Sequence, residues 1–198
     1  MLLGPHNGQG WSFIHLAGSA LAGARLFELD EEKTANALAI SLYQPTYLLW
    51  PGFMGPDSKL LTSAIPTILG VQAVYLAEQG FSGAWDIIES PQGFLNHFSY
   101  YPLPFMLSGL GKAWTTYTLA YKIYPGCAYI DTAIDATLEI LNRYQKDTGK
   151  ELAGEEISEI TVEATALTVE MDRLSQIAKK DFEFNPIRIN FSIPASIA

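Results

Sequence analysis

One cysteine, Cys127, stands in a chain of 198 residues. A lone cysteine excludes an internal disulfide and any cysteine-rich metal centre. It fits a reducing, cytoplasmic setting. Charge is scarce too, with Asp, Glu, Lys and Arg making up only 17% of the residues. Basic residues are the scarcer sign, 12 against 21 acidic, for a net charge of −9. That field repels phosphate backbones and anionic lipid, so neither nucleic acid nor a membrane is an expected partner. An anionic ligand would need a few lysines focused against the overall field. The opening MLLGPHNGQG lacks a basic segment followed by an apolar one, so it does not read as a signal peptide. Residues 60–77 carry no charge over nearly a membrane-spanning length. Thr62, Ser63, Pro66, Thr67, Gly70 and Gln72 interrupt that run, and we read it as a helix of a soluble protein.

Apolar residues are plentiful, at 48% of the chain. This exceeds what one core of this size requires, and the excess points to a partner chain, most simply a homodimer. Residues 13–27, FIHLAGSALAGARLF, form a helical pattern that is apolar nearly all round. Its small residues from Ala17 to Ala24 allow a neighbouring helix to approach closely. A second helix opens at Asp30, a good N-cap, with Glu31 and Glu32 in the positive first turn. It ends before Pro45. Residues 44–56 form a Pro/Gly-rich loop whose Tyr47, Trp50 and Phe53 either cover the core or make a contact surface. Asp57 is placed to cap a long helix over 58–79, with Pro66 inside it and Gly80 closing it.

Residues 81–111 read as irregular with short helical pieces. The alternation in WTTYTLAYKIY, 114–124, predicts a strand, and ISEITVEATALTVEM, 157–171, predicts one long strand or two. A helix is expected over 129–146, stopping near Gly149, and a shorter one over 172–179. The tail RINFSIPASIA reads as strand or loop leading into a helix. The expected fold is therefore mainly α. An all-helical portion, 1–115, is followed by a small α+β, lid-like portion, 116–198.

Several segments occur in the order and spacing of a known family. They are HLAGSALAGARLFELDEEKTANALAIS, SKLLTSAIPTILGVQAVYLAEQGFSGAWDIIESPQGF, KIYPGCAYIDTAIDATLEIL, EISEITVEA and FSIPASIA. With them the chain resembles the MmgE/PrpD proteins, which include 2-methylcitrate dehydratase, cis-aconitate decarboxylase and iminodisuccinate epimerase. The resemblance implies a large helical domain and a smaller α+β lid with the active site between them. It also implies family elements upstream and downstream of these segments. The chemistry it implies is proton removal beside a carboxylate of a small di- or tricarboxylate, as a lyase or an isomerase, with no metal or organic cofactor. Such chemistry uses a base, an acid and cations that hold the carboxylates.

Mapped residue by residue, the resemblance makes Lys59 and Lys122 candidate carboxylate ligands, with Tyr129 beside them in the same signature. His15, one turn beyond the Trp11-Ser12 pair, and Asp131 are candidate proton carriers. Ser12, Thr62 and Asp131 stand where the family has histidines, the side chain best suited to proton transfer near neutrality. Threonine cannot do that work, and a carboxylate at 131 repels an anionic substrate unless its pKa is raised. Each candidate has a plainer reading. For Lys122 it is solvation of a strand end, and for Asp131 a cap on the following helix. For His15 it is a hydrogen-bonded core residue, and for Cys127, without a histidine nearby in sequence, packing alone. His97 lies in the irregular stretch. GLGK at 109–112 lacks P-loop spacing and is set aside. Two readings of function follow: a polycarboxylate lyase or isomerase, and a diverged noncatalytic relative that binds a small acid or serves in assembly.

Overall fold

The structure is a computed structural model and describes residues 8–176 and 186–198. Its contacts divide the chain into two units. One comprises Met1–Phe53 and Asp57–Tyr117, the other Met54–Pro56 and Thr118–Ala198. The fold is mainly α, as expected from the sequence.

In the first unit, α1 (Trp11–Leu26) and α2 (Glu31–Leu42) are joined by a tight turn. Asp30 caps α2, its carboxylate accepting the Lys33 N–H at 2.8 Å. A two-residue antiparallel ladder joins β1 (Gly8–Gln9) to β2 (Leu48–Leu49). Next come the short helix α3 (Trp50–Phe53), a 3-10 turn over Asp57–Leu60 and the long α4 (Leu61–Glu78). Asp57 does not cap the long helix as its position suggested. The 3-10 turn intervenes, Leu60 holds the N-cap position, and no side chain caps it. Gly80, at φ 88°, ends α4 in a left-handed conformation that a Cβ would disfavour. The Phe81 N–H then returns to the Leu76 carbonyl at 3.0 Å, the wide bond of a Schellman ending.

Helices α1, α2 and α4 pack on one another around Ala24, Ala37, Val74 and Ala77, with Leu29 and Ile40 at the edge. The approach is close because the facing residues are small. A Cβ at Gly70 would lie 1.9 Å from Ser19 Oγ and 2.6 Å from the Leu16 carbonyl oxygen. At the other end of α1, Phe13 gathers Tyr47, Phe94 and Phe98, with ring centroids 6.1, 5.0 and 4.4 Å away. Phe94 and Phe98 belong to α5 (Phe94–Phe98), one of the short helical pieces foreseen after residue 81. Tyr47 and Phe53 thus cover the core, while Trp50 stacks edge-on to Phe53.

In the second unit, a 3-10 turn over Ala128–Ile130 leads into α6 (Asp131–Thr148), which ends at Gly149. Then come α7 (Ala166–Gln176), α8 (Pro186–Ile189) and α9 (Ile193–Ile197). Ile130, Ala133 and Ile193 are its buried centre, with Tyr129, Ile134 and Ile197 against them.

No strand forms in this unit among the described residues, which corrects two expectations. Residues 114–124 contain a 3-10 turn, Thr115–Thr118, and then irregular chain. Tyr117, Tyr121 and Ile123 are 86, 89 and 83% exposed. Alternation favours a strand only where a neighbour supplies a ladder and a face to pack on, and no neighbour is there. Residues 157–165 are likewise without a ladder, and from Ala166 the chain is helical. Ala, Leu, Glu and Met there are good helix formers. Thr165 caps them, accepting the Val169 N–H at its carbonyl (3.0 Å) and the Thr168 N–H at its hydroxyl (3.4 Å). The helix expected over 172–179 is the end of this longer one, and residues 177–179 lie outside the described residues. The tail carries the expected terminal helix, capped by Ser192 Oγ on the Ala195 N–H at 3.3 Å; of the strand or loop expected before it, α8 takes Arg188 and Ile189 and residues 190–192 are loop.

Candidate functional site

The turn that carries Lys122 is built by Tyr124, Pro125 and Gly126. Gly126 is buried because the Ile130 side chain lies over it, and a Cβ there would meet Ile130 Cδ1 at 2.0 Å. Lys122 bends back over this turn, its ammonium donating to the Gly126 carbonyl at 2.7 Å. The Tyr124 hydroxyl donates to Asp135 Oδ1 at 2.6 Å. That bond, with burial and the charges of Asp135 and Asp131, raises the Tyr124 pKa.

Asp131 sits one helical turn before Asp135. It does not cap α6. Ile130 occupies the N-cap position, and Asp131 is already helical at φ −56°, ψ −44°. The preceding 3-10 turn carries the chain straight into the helix, so the carboxylate lies in the first turn, where the helix dipole favours negative charge. Its Oδ1 is buried and has no hydrogen-bond partner among the described residues.

Tyr129 is half-buried. Its hydroxyl donates to the Phe191 carbonyl, tying the 3-10 turn to the chain between α8 and α9. Cys127 N–H donates to the Asn190 carbonyl at 2.7 Å beside it. Burial, then the charges of Cys127 and Asp172, push the Tyr129 phenol well above its ordinary range, against a smaller opposing hydrogen bond from Ser175. Lys122, Tyr129 and Asp131 all belong to the second unit, Tyr129 in the 3-10 turn and Asp131 in the first turn of α6.

His15 and Lys59 belong to the first unit. His15 is exposed on α1, on the face opposite the buried Phe13, Leu16 and Ala20, so it is not the core histidine of its plainer reading. Lys59 lies in the 3-10 turn before α4 with its ammonium 5.7 Å from the centre of the Phe53 ring, a cation–π contact. His97, exposed on α5, sets its ring 4.6 Å from that of Phe98. Ser12 and Thr62, at two of the positions where histidine was looked for, are 0 and 7% exposed. Ser12 Oγ donates to the Thr46 carbonyl at 2.7 Å, and Thr62 Oγ1 is buried without a partner among the described residues. Among the described residues, no three His, Cys, Asp or Glu side chains come together as a metal-binding group.

Two features escaped the sequence reading. Asn36, nearly buried on α2, accepts the Gly83 N–H at 3.1 Å and the Trp85 indole N–H at 3.2 Å, fixing the loop after α4. An asparagine inside an Ala-rich helical pattern was the available signal. The other is an open cavity of about 680 Å³ in the second unit, between residues 154–164, α7 and α9. Ile160, Val162, Val169, Ile193 and Ile197 line it, with Asp172 and Glu159 among the polar groups. Reading 157–171 as strand hid it.

Residues 9–104 match the model of the MmgE/PrpD N-terminal domain. The match includes Ser12, His15, Asn36, Lys59, Thr62 and His97; Lys122, Tyr129 and Asp131 lie beyond it. No curated protein gives a significant match to the chain.

Proposed function

Residues 9–104 are an MmgE/PrpD N-terminal domain, and from that premise we propose that the chain acts on a small di- or tricarboxylate by proton abstraction beside a carboxylate. The reaction is of the lyase or isomerase type. Lys59 and Lys122, with Tyr129, are the proposed carboxylate ligands, and His15 and Asp131 the proposed proton carriers. The family match carries this reading. The buried Oδ1 of Asp131, without a hydrogen-bond partner among the described residues, supports its part in it, because a buried acceptor left unpaired is open to a group that a ligand brings.

A specific observation favours a second reading. Ser12 and Thr62 are closed off from solvent where histidines would be expected, and neither hydroxyl gains or loses its proton near neutrality as an imidazole does. On that reading the chain is a noncatalytic relative that binds a small acid or serves in assembly.

Incubation in deuterated water with citrate, 2-methylcitrate, cis-aconitate and iminodisuccinate separates the two. Deuterium entering one of them with the wild-type chain, and not with Lys59→Ala or Asp131→Asn, is the result expected for the first. Folded protein that exchanges none of the four overturns it and leaves the noncatalytic reading.

A cytoplasmic homodimer is part of the proposal. The outer face of α4 supports it: Leu61, Ile65, Ile68 and Tyr75 are exposed along one stripe with no charged residue between them. Spacings of three and four residues suit such a stripe to packing against another helix.

A further inference from the structure

The open cavity of the second unit has a chemistry unlike that of the proposed carboxylate site. Its volume of about 680 Å³ is that of a small-molecule site. Its walls are aliphatic: Ile160 and Val162 on one side, Val169 of α7, and Ile193 and Ile197 of α9. Among the described residues of its lining there is no aromatic ring to stack on a planar ligand. Among the described residues of its lining there is no Lys, Arg or His, but there are two carboxylates, Asp172 and Glu159.

Asp172 is held in place. Its Oδ1 accepts the Ile193 N–H at 3.0 Å and its Oδ2 accepts from the Gln176 amide. An ionised carboxylate has about four lone-pair positions, so these two bonds fix its direction without using its capacity. A charge fixed before a ligand arrives need not be ordered by it. An anion entering here would meet like charge and, among the described residues of the lining, no basic side chain, with only the Ser158 hydroxyl as a side-chain donor. A cation would meet a fixed carboxylate, a second one at Glu159, and a chain whose net charge of −9 attracts it.

We propose that this cavity binds an aliphatic ammonium compound, its hydrocarbon part against Ile160, Val169, Ile193 and Ile197 and its cationic head on Asp172. The site is independent of the polycarboxylate reading, and either can fail alone.

The test is an NMR titration of the full chain with n-hexylammonium, n-hexanol and hexanoate, three unbranched six-carbon ligands with a cationic, a neutral and an anionic head. Hexylammonium is expected to bind saturably and to shift the amide signals of Val169 and Ile193. It should bind roughly tenfold more tightly than hexanol, the usual worth of a hydrogen bond to a charged group, and hexanoate should not bind. Asp172→Asn keeps an oxygen for the Ile193 N–H and should remove most of that preference. Glu159→Gln, on ladder-free exposed chain, should weaken binding by a smaller factor without touching the fold. Equal binding of hexanol and hexylammonium, binding of hexanoate, shifts confined to other residues, or no saturable binding each overturns the proposal. The comparison of three ligands on the wild-type chain decides it even where a variant fails to fold.

Discussion

Asn36 and Trp85 are 49 residues apart in sequence and joined by a 3.2 Å hydrogen bond, the indole N–H donating to the amide oxygen. The same oxygen takes the Gly83 N–H, so one side chain on α2 holds the loop after α4. Asn36→Ala removes both acceptor contacts and should lower stability by about 1–2 kcal/mol. Trp85 is largely exposed, so water replaces part of its loss. A double-mutant cycle of Asn36→Ala with Trp85→Phe, followed by urea denaturation, should give a coupling of about 0.5–1 kcal/mol. Zero coupling would show that the bond contributes nothing.

Two glycines on facing helices should respond in opposite directions to alanine. At Gly70 the new methyl group collides with Ser19 Oγ and the Leu16 carbonyl oxygen, and α1 and α4 must move apart, at a cost of about 1–3 kcal/mol. At Gly18, within α1, nothing lies within 4 Å of the added atom. Alanine there should stabilise by about 0.5–1 kcal/mol through helix propensity and lost freedom of the unfolded chain. Melting temperatures of the two variants check this, and a stabilised Gly70→Ala would refute the close approach.

Tyr129 predicts an alkaline weakness. Its phenol keeps its proton in the folded chain well above the range near pH 10 where the unfolded chain releases it. Above about pH 10 the unfolded state therefore binds fewer protons, and stability falls as pH rises. Below that range the contribution is fully present. Tyr129→Phe should cost about 1 kcal/mol at pH 8 through the lost bond to the Phe191 carbonyl. The gap between wild type and variant should narrow between pH 10 and 11.5 in urea titrations. A constant gap would argue against a buried, protonated phenol.

The stripe on α4 makes the oligomer prediction specific. Ile65→Glu with Ile68→Glu places charge on the exposed face without disturbing the buried Pro66, Gly70 and Ala73. Light scattering at micromolar concentration should show a dimer for wild type and a monomer for the variant, with stability of the monomer changed by about 0.5 kcal/mol or less per substitution. A monomeric wild type would sink the homodimer.

The sequence made the helices of the first unit legible because their signals are local. Asp30 caps, Gly80 terminates, and the run of small residues from Ala17 to Ala24 marks a close helix contact; each acts within one or two turns. The strands were misjudged for the opposite reason. Period-two alternation at 114–124 and 157–171 is necessary for a half-buried strand, but pairing depends on a distant segment that the pattern does not contain. The candidate site divides in the same way. Lys122, Tyr129 and Asp131 were grouped by one signature, and all three fall in the second unit, whereas His15 and Lys59 fall in the first. The cavity at Asp172 needs Ile193 brought back 21 residues along the chain, and no local pattern announces that.

The stretch around Tyr117, Tyr121 and Ile123 combines large side chains, wide exposure and a backbone without ladder bonds, and it lies where the chain passes from one unit to the other. It is a natural first cut for a protease. Chymotrypsin after Tyr117 or Tyr121, or trypsin after Lys122, should divide the chain there before it attacks the packed helices. The molecule would then act as its own dissecting kit. One fragment would carry the MmgE/PrpD N-terminal domain and the other the Asp172 cavity, and each could be asked separately which ligand it keeps.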